Sequence, residues 1–252
     1  MQNFYLGAWS SIGKKFLMGF TGLLLAAFVT LHLLGNLTIL LGKGEAFNQY
    51  AHALERMQWL VVAMEIGLAA VFLIHIVAAV FFVLGNRTAR PLSYQKVATA
   101  GNPSRKSASS ATMIYTGVLL LAFTVSHLKT FKFGPGMAQG YAVQLHGETV
   151  RDLYRLVVEI FSNKWYVIGY VVAMILLGFH LRHGFWSAFQ SLGVYHPRFT
   201  PAIRALGVSL AVALAFGFVF LPLWVYVRSA QFGSVALHPL AAVVHYFSGV
   251  AQ

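Results

Sequence analysis

The stretch FLMGFTGLLLAAFVTLHLLGNLTILL, Phe16 to Leu41, decides the fold. It contains no acidic or basic residue, and its one imidazole is His32. About 20 apolar residues cross a hydrocarbon core ~30 Å thick. The run is also well beyond the ~7–15 residues of a signal-peptide core. With Lys14 and Lys15 before it, the segment is predicted to be a retained membrane helix. Four more runs meet the same length: Trp59 to Leu84, Ala108 to Leu128, Trp165 to Phe185 and Ala205 to Val227. The expected fold is an all-α membrane protein, one domain over residues 1–252 with five transmembrane helices. Trp59 and Trp165 open their helices where an aromatic belt would place them.

Composition agrees. The chain is 58% hydrophobic and 10% charged, far from a soluble domain of this length. It has no cysteine, which excludes thiolate iron–sulfur ligation, covalent haem attachment and disulfides. No phosphate loop or dinucleotide fingerprint is present, so flavin or nicotinamide chemistry would belong to another subunit. The net charge of +12 sits mostly in short loops beside apolar runs. It therefore points to membrane lipid or an acidic protein surface, and not to nucleic acid.

The same charges orient the chain. With the N-terminus inside, ten Lys and Arg are cytoplasmic: Lys14, Lys15, Arg87, Arg90, Lys96, Arg105, Lys106, Arg182, Arg198 and Arg204. Eight lie outside, five of them in or beside the long Lys129 to Lys164 loop, where charge weighs less. A multi-pass protein of the cytoplasmic membrane with a cytoplasmic N-terminus is expected. The basic stretch Asn86 to Ser107 would face cytoplasmic partners. Ala46 to Gln58 and Val143 to Phe161 have helical periodicity and are expected along the interface. The tail from Ser229 to Gln252, broken by Gly233 and Pro239, has no assigned place.

Each of the first four runs carries a histidine: His32, His75, His127 and His180. An intramembrane ionisable side chain is costly, and is a functional hypothesis by default. At 1.5 Å per residue, His32 and His127 lie ~24–28 Å from the inner face, and His75 and His180 ~22–24 Å from the outer one. The histidines thus form two levels ~15 Å apart, pairing His32 with His127 and His75 with His180. Two pairs of neutral imidazoles suit two six-coordinate haems held noncovalently in a bundle of helices one to four. A hydrogen-bonded core histidine or a proton path explains any one of them equally well; four at matched depths favour haem. His183 could replace His180, which is preferred because it lies deeper. His52, His146, His196, His238 and His245 fall in expected loops and are read as surface residues.

Glycines on these runs, Gly19, Gly22, Gly35, Gly117, Gly169 and Gly178, would admit a macrocycle or a neighbouring helix. Glu65 is the one carboxylate within helix two, ten residues before His75. Buried, it would suit the protons of quinone chemistry; an acid snorkelling to the interface, or bonded to His52 or Arg56, is the plainer reading and stands level with it.

The order and spacing of these histidines resemble the single-chain, five-helix, two-haem cytochrome b subunit of succinate dehydrogenases and fumarate reductases. Local strings agree: SSIGKK at Ser10 to Lys15, AFNxxAH at Ala46 to His52, and FHLRHGFWS at Phe179 to Ser187. The likeness runs to about Val227. It implies a membrane anchor for a flavoprotein subunit and an iron–sulfur subunit on the cytoplasmic face. Its cofactors would be two haem b groups, and its electrons would pass between succinate or fumarate and a membrane quinone such as menaquinone. By resemblance, His75 and His180 would hold the haem nearer the iron–sulfur subunit, and His32 and His127 the distal one. His183 becomes a propionate partner. Gly178 and Phe179 stand where some fumarate reductases of this type have an acid, which leans the reading toward succinate oxidation. Competing expectations are the cytochrome b anchor of another redox complex and, from a different class, a transporter or scaffold without haem.

Overall fold

A computed structural model describes residues 10–41, 44–88 and 108–231. Among the described residues, five helices are long and apolar enough to cross a membrane, spanning Ile12–Leu40, Gln58–Gly85, Met113–Lys132, Lys164–Ser191 and Thr200–Ser229. The helices are α1 (Ser11–Asn36), α2 (Glu45–Arg56), α3 (Gln58–Thr88), α4 (Met113–His127), α5 (Leu153–Phe161), α6 (Lys164–Ser191) and α7 (Thr200–Gln231). A single turn, Ala108–Ala111, precedes α4.

Capping explains where the helices outrun the hydropathy limits. α1 starts before Phe16 because the Ser10 hydroxyl accepts from Gly13 N–H at 3.0 Å, filling one of the unpaired donors of a first turn. α6 continues past Phe185 to Ser191, where Gly193 takes φ 81°. There Val194 N–H bonds Phe189 C=O at 2.9 Å, the six-to-one closure of a helix end that favours glycine. α7 begins at Thr200, ahead of Ala205, with Pro201 in its first turn, where a missing N–H costs nothing.

The expectation for Val143 to Phe161 needs correction. Only its second half is helical, as α5; the first half is an antiparallel hairpin, β1 (Ala142–Leu145) with β2 (Glu148–Arg151). His146 and Gly147 take φ 49° and 85°, the two left-handed residues that a tight hairpin turn requires. Val143, Leu145 and Val150 also alternate with polar neighbours at a strand's period of two. The fold is therefore helical with one small hairpin. Asp152 caps α5 by accepting from Arg155 N–H at 3.0 Å. The stretch 89–107, most of the 229–252 tail, His238 and His245 lie outside the described residues.

The chain divides into two compact units. One takes the described residues of Met1–Thr30, Val62–Gly117 and Leu177–Leu214; the other takes those of Leu31–Val61, Val118–Leu176 and Ala215–Gln252. In the first, Ala26, Ala78, Leu181, Ala188, Ala211 and Leu214 are buried. A Cβ on Gly19 would come within 3.1 Å of Ala188 C=O, so α1 and α6 approach backbone to backbone there. In the second, Leu33 occupies the space beside Gly217. Phe47, Leu145, Val150, Leu156, Ile160 and Phe161 form an apolar centre beneath the hairpin and α5. Outward faces are apolar too: Trp59 is 83% exposed and Phe216 69%, an arrangement suited to lipid and unfavourable in water.

Candidate functional site

The first unit contains His75 on α3, with His180 and His183 on α6. His180 is within electrostatic reach of both His75 and His183. Each of the two deeper imidazoles meets a threonine on another helix. Thr21 Oγ1 of α1 is 3.3 Å from His75 Nδ1, and Thr116 Oγ1 of α4 is 3.1 Å from His180 Nδ1. Both threonines are buried, at 3% and 4% exposure.

A hydroxyl has one proton. Thr21 directs its proton to Leu17 C=O at 2.6 Å; Thr116 has Thr112 and Met113 C=O at 3.1 Å. With the proton donated to the helix, each threonine oxygen is free to accept from Nδ1–H. In that tautomer Nε2 is unprotonated, the form suited to metal ligation.

Glycines flank the same rings. A Cβ at Gly22 would stand 3.3 Å from His75 Cε1, and one at Gly117 3.6 Å from His180 Cε1. Gly22 is thus the tighter position, where a side chain would crowd the ring. His183 is half-buried beside His180.

The second unit contains His32 on α1 and His127, the last residue of α4. Their ring centroids are 5.8 Å apart with planes at 90°. Two metal–imidazole bonds of about 2.0–2.1 Å, with the half-width of each ring added, put centroids about 6 Å apart, so the spacing fits one metal ion between the rings. Asn36 Nδ2 donates to His32 C=O at 2.7 Å, and the Phe218 ring lies 6.0 Å from that of His32. His127 stands among Phe123, Phe131 and Tyr170, with centroids at 5.7, 5.3 and 6.1 Å. Tyr170 OH lies 3.3 Å from His127 Nδ1. Tyr170 also lines a groove of about 480 Å³ with Phe123, Ser126, Trp165, Tyr166 and Gly169.

Among the described residues, no three His, Cys, Asp or Glu side chains gather as a metal-binding cluster. Paired imidazoles are the donor set of a metal whose other ligands come from a tetrapyrrole. Sequence reasoning did not find Thr21, Thr116 or Tyr170. The available signal was depth: each threonine lies in an apolar run near the level of the histidine it meets.

The remaining expected residues are placed as follows. Glu65 is exposed on α3 between Met64 and Ile66, themselves 57% and 66% exposed. His52 sits on α2, not in a loop, and its Nε2 bonds Glu148 Oε2 at 2.9 Å. His146 occupies the hairpin turn and bonds Gln49 at 2.8 Å, while His196 lies before α7 and pairs through its ring with Phe199.

Fold and site define a multi-helix chain with five helices suited to crossing a membrane and histidines brought together within each unit. Comparison with protein-family models, with curated proteins and with solved structures finds no match to this chain.

Proposed function

We propose that this chain is a two-haem cytochrome b, the membrane anchor of a succinate:quinone oxidoreductase. The observation carrying the haem reading is the treatment of its intramembrane histidines. They come as His75 with His180 and His32 with His127, three of them having a hydroxyl at Nδ1. Where a hydroxyl accepts from Nδ1–H, Nε2 is left unprotonated and oriented as a ligand.

Haem iron held by two imidazoles exchanges single electrons and leaves no open position for dioxygen. The chain's own residues do the rest. Four imidazoles hold the irons, Thr21 and Thr116 fix ring orientation, and the helices keep water away. His183, half-buried beside His180, is the candidate propionate partner. Glu65 is the candidate proton group for quinone, its exposed position on α3 making it reachable from the lipid phase.

The succinate assignment, the flavoprotein and iron–sulfur partners, menaquinone as acceptor and a cytoplasmic N-terminus all rest on the resemblance at Ser10 to Lys15, Ala46 to His52 and Phe179 to Ser187, and on the charge distribution. The test is reduced-minus-oxidised spectroscopy of the chain purified from its membrane, with haem quantified per polypeptide and co-purifying flavin and iron assayed. Two b-type haems with both partners support the reading. Two haems with other partners retain the cytochrome and dismiss succinate. Folded protein without haem overturns it.

A further inference from the structure

The residue that terminates the helix bearing His127 comes from the hairpin. After His127 the chain enters a π-turn, Leu128–Lys132, closed by Phe133 N–H to Leu128 C=O at 2.9 Å. π-turns within helices recur at functional sites. Like any helix end, this one leaves carbonyls without intrahelical donors. Arg151, the last residue of β2, reaches one of these and two just beyond the turn: its Nε donates to Pro135 C=O at 3.1 Å. Its Nη2 donates to Phe131 C=O at 2.9 Å and Gly134 C=O at 3.4 Å. The cation also complements the negative end of the helix dipole.

Phe131 links this turn to the histidine. Its ring lies 5.3 Å from that of His127, and 5.9 and 6.1 Å from those of Phe161 and Tyr170. The turn itself is packed to contact, since a Cβ on Gly134 would collide with Thr130 C=O. Thr130 is buried and returns its hydroxyl proton to Ser126 C=O at 2.8 Å.

We propose that Arg151 is a positioning residue for the His32/His127 pair. By holding the carbonyls of Phe131, Gly134 and Pro135, its guanidinium fixes the turn after His127 and with it the orientation of the imidazole. A planar fork reaches several carbonyls at once, whereas an ammonium is a single point donor. Arg155 is the built-in control. It belongs to the same extramembrane region but binds Glu159 at 2.7 Å and covers the Tyr141 ring.

The inference rests on the haem reading, so the readout is each haem's signature and not turnover. Full-length wild type, Arg151→Gln, Arg151→Lys, Arg155→Gln and His127→Ala are compared by low-temperature electron paramagnetic resonance and redox titration. Wild type is expected to give two low-spin signals. Arg151→Gln should shift the one that His127→Ala abolishes and leave the other in place. Arg151→Lys should restore part of the shift, and Arg155→Gln should move neither signal. Two unmoved signals in folded Arg151→Gln protein overturn the inference and leave the haem reading standing. Equal movement of both signals, the same shift in Arg155→Gln, or failure of both Arg151 variants to fold also overturns it, because the role would then be general stability. Wild type without haem removes both readings.

Discussion

Replacing Thr116 by valine preserves the side chain's shape and deletes one hydroxyl. That hydroxyl stands 3.1 Å from His180 Nδ1, in a residue only 4% exposed. Without it, Nδ1–H loses its acceptor where water does not readily replace it, a cost of about 1–3 kcal/mol. Loss of an outer-shell partner typically weakens metal binding about 10–100-fold, equivalent to about 1.4–2.8 kcal/mol, so the two routes agree. The assay is transfer of haem from the purified chain to excess apomyoglobin, followed spectrally. Thr116→Val is expected to speed loss of one component about 10-fold and leave the other unchanged. Thr21→Val should act on the same component more weakly, because its contact with His75 is longer, at 3.3 Å. Folded Thr116→Val protein that loses both haems at wild-type rates, or both equally fast, would refute the tautomer argument.

Other expectations follow from the same geometry. His32→Ala or His127→Ala should each remove one haem of the pair of haems; haem counts that stay at two, or fall to none in stable protein, would contradict the pairing. Glu65→Gln should slow quinone-linked turnover while leaving haem content intact, and full turnover would dismiss its role. Outside the membrane segments, burial, and then the 2.5 Å hydrogen bond to Glu159, push the Tyr141 phenol up to about 12. Its unfolded value is about 10, so between these the folded chain binds the extra proton. The resulting stability is present below pH ~10 and lost as pH rises toward ~12. Alkaline unfolding curves should therefore be less steep in Tyr141→Phe than in wild type, and equal slopes would count against this assignment.

Hydropathy and length alone located the five long helices, because a bilayer imposes one dominant requirement, an apolar run with its backbone bonds satisfied internally. A fixed rise per residue then grouped His32 with His127 and His75 with His180, the same grouping the structure's two units keep. Helix ends were less legible, since Ser10 and Gly193 act through single hydrogen bonds that hydropathy does not register. The hairpin was read as helix because Val143 to Phe161 offers both periodicities over short runs, and the left-handed pair His146 and Gly147 decided between them.

Only the tertiary structure supplied the partners of the imidazoles. Thr21 meets a histidine 54 residues away and Thr116 one 64 away, and such contacts depend on which helix faces lie together. The same holds for Arg151, whose place at the end of α4 requires the hairpin to fold back over Phe131 and Gly134. One-dimensional depth says how far along a helix a residue lies; its direction around the helix is settled by packing against the neighbours.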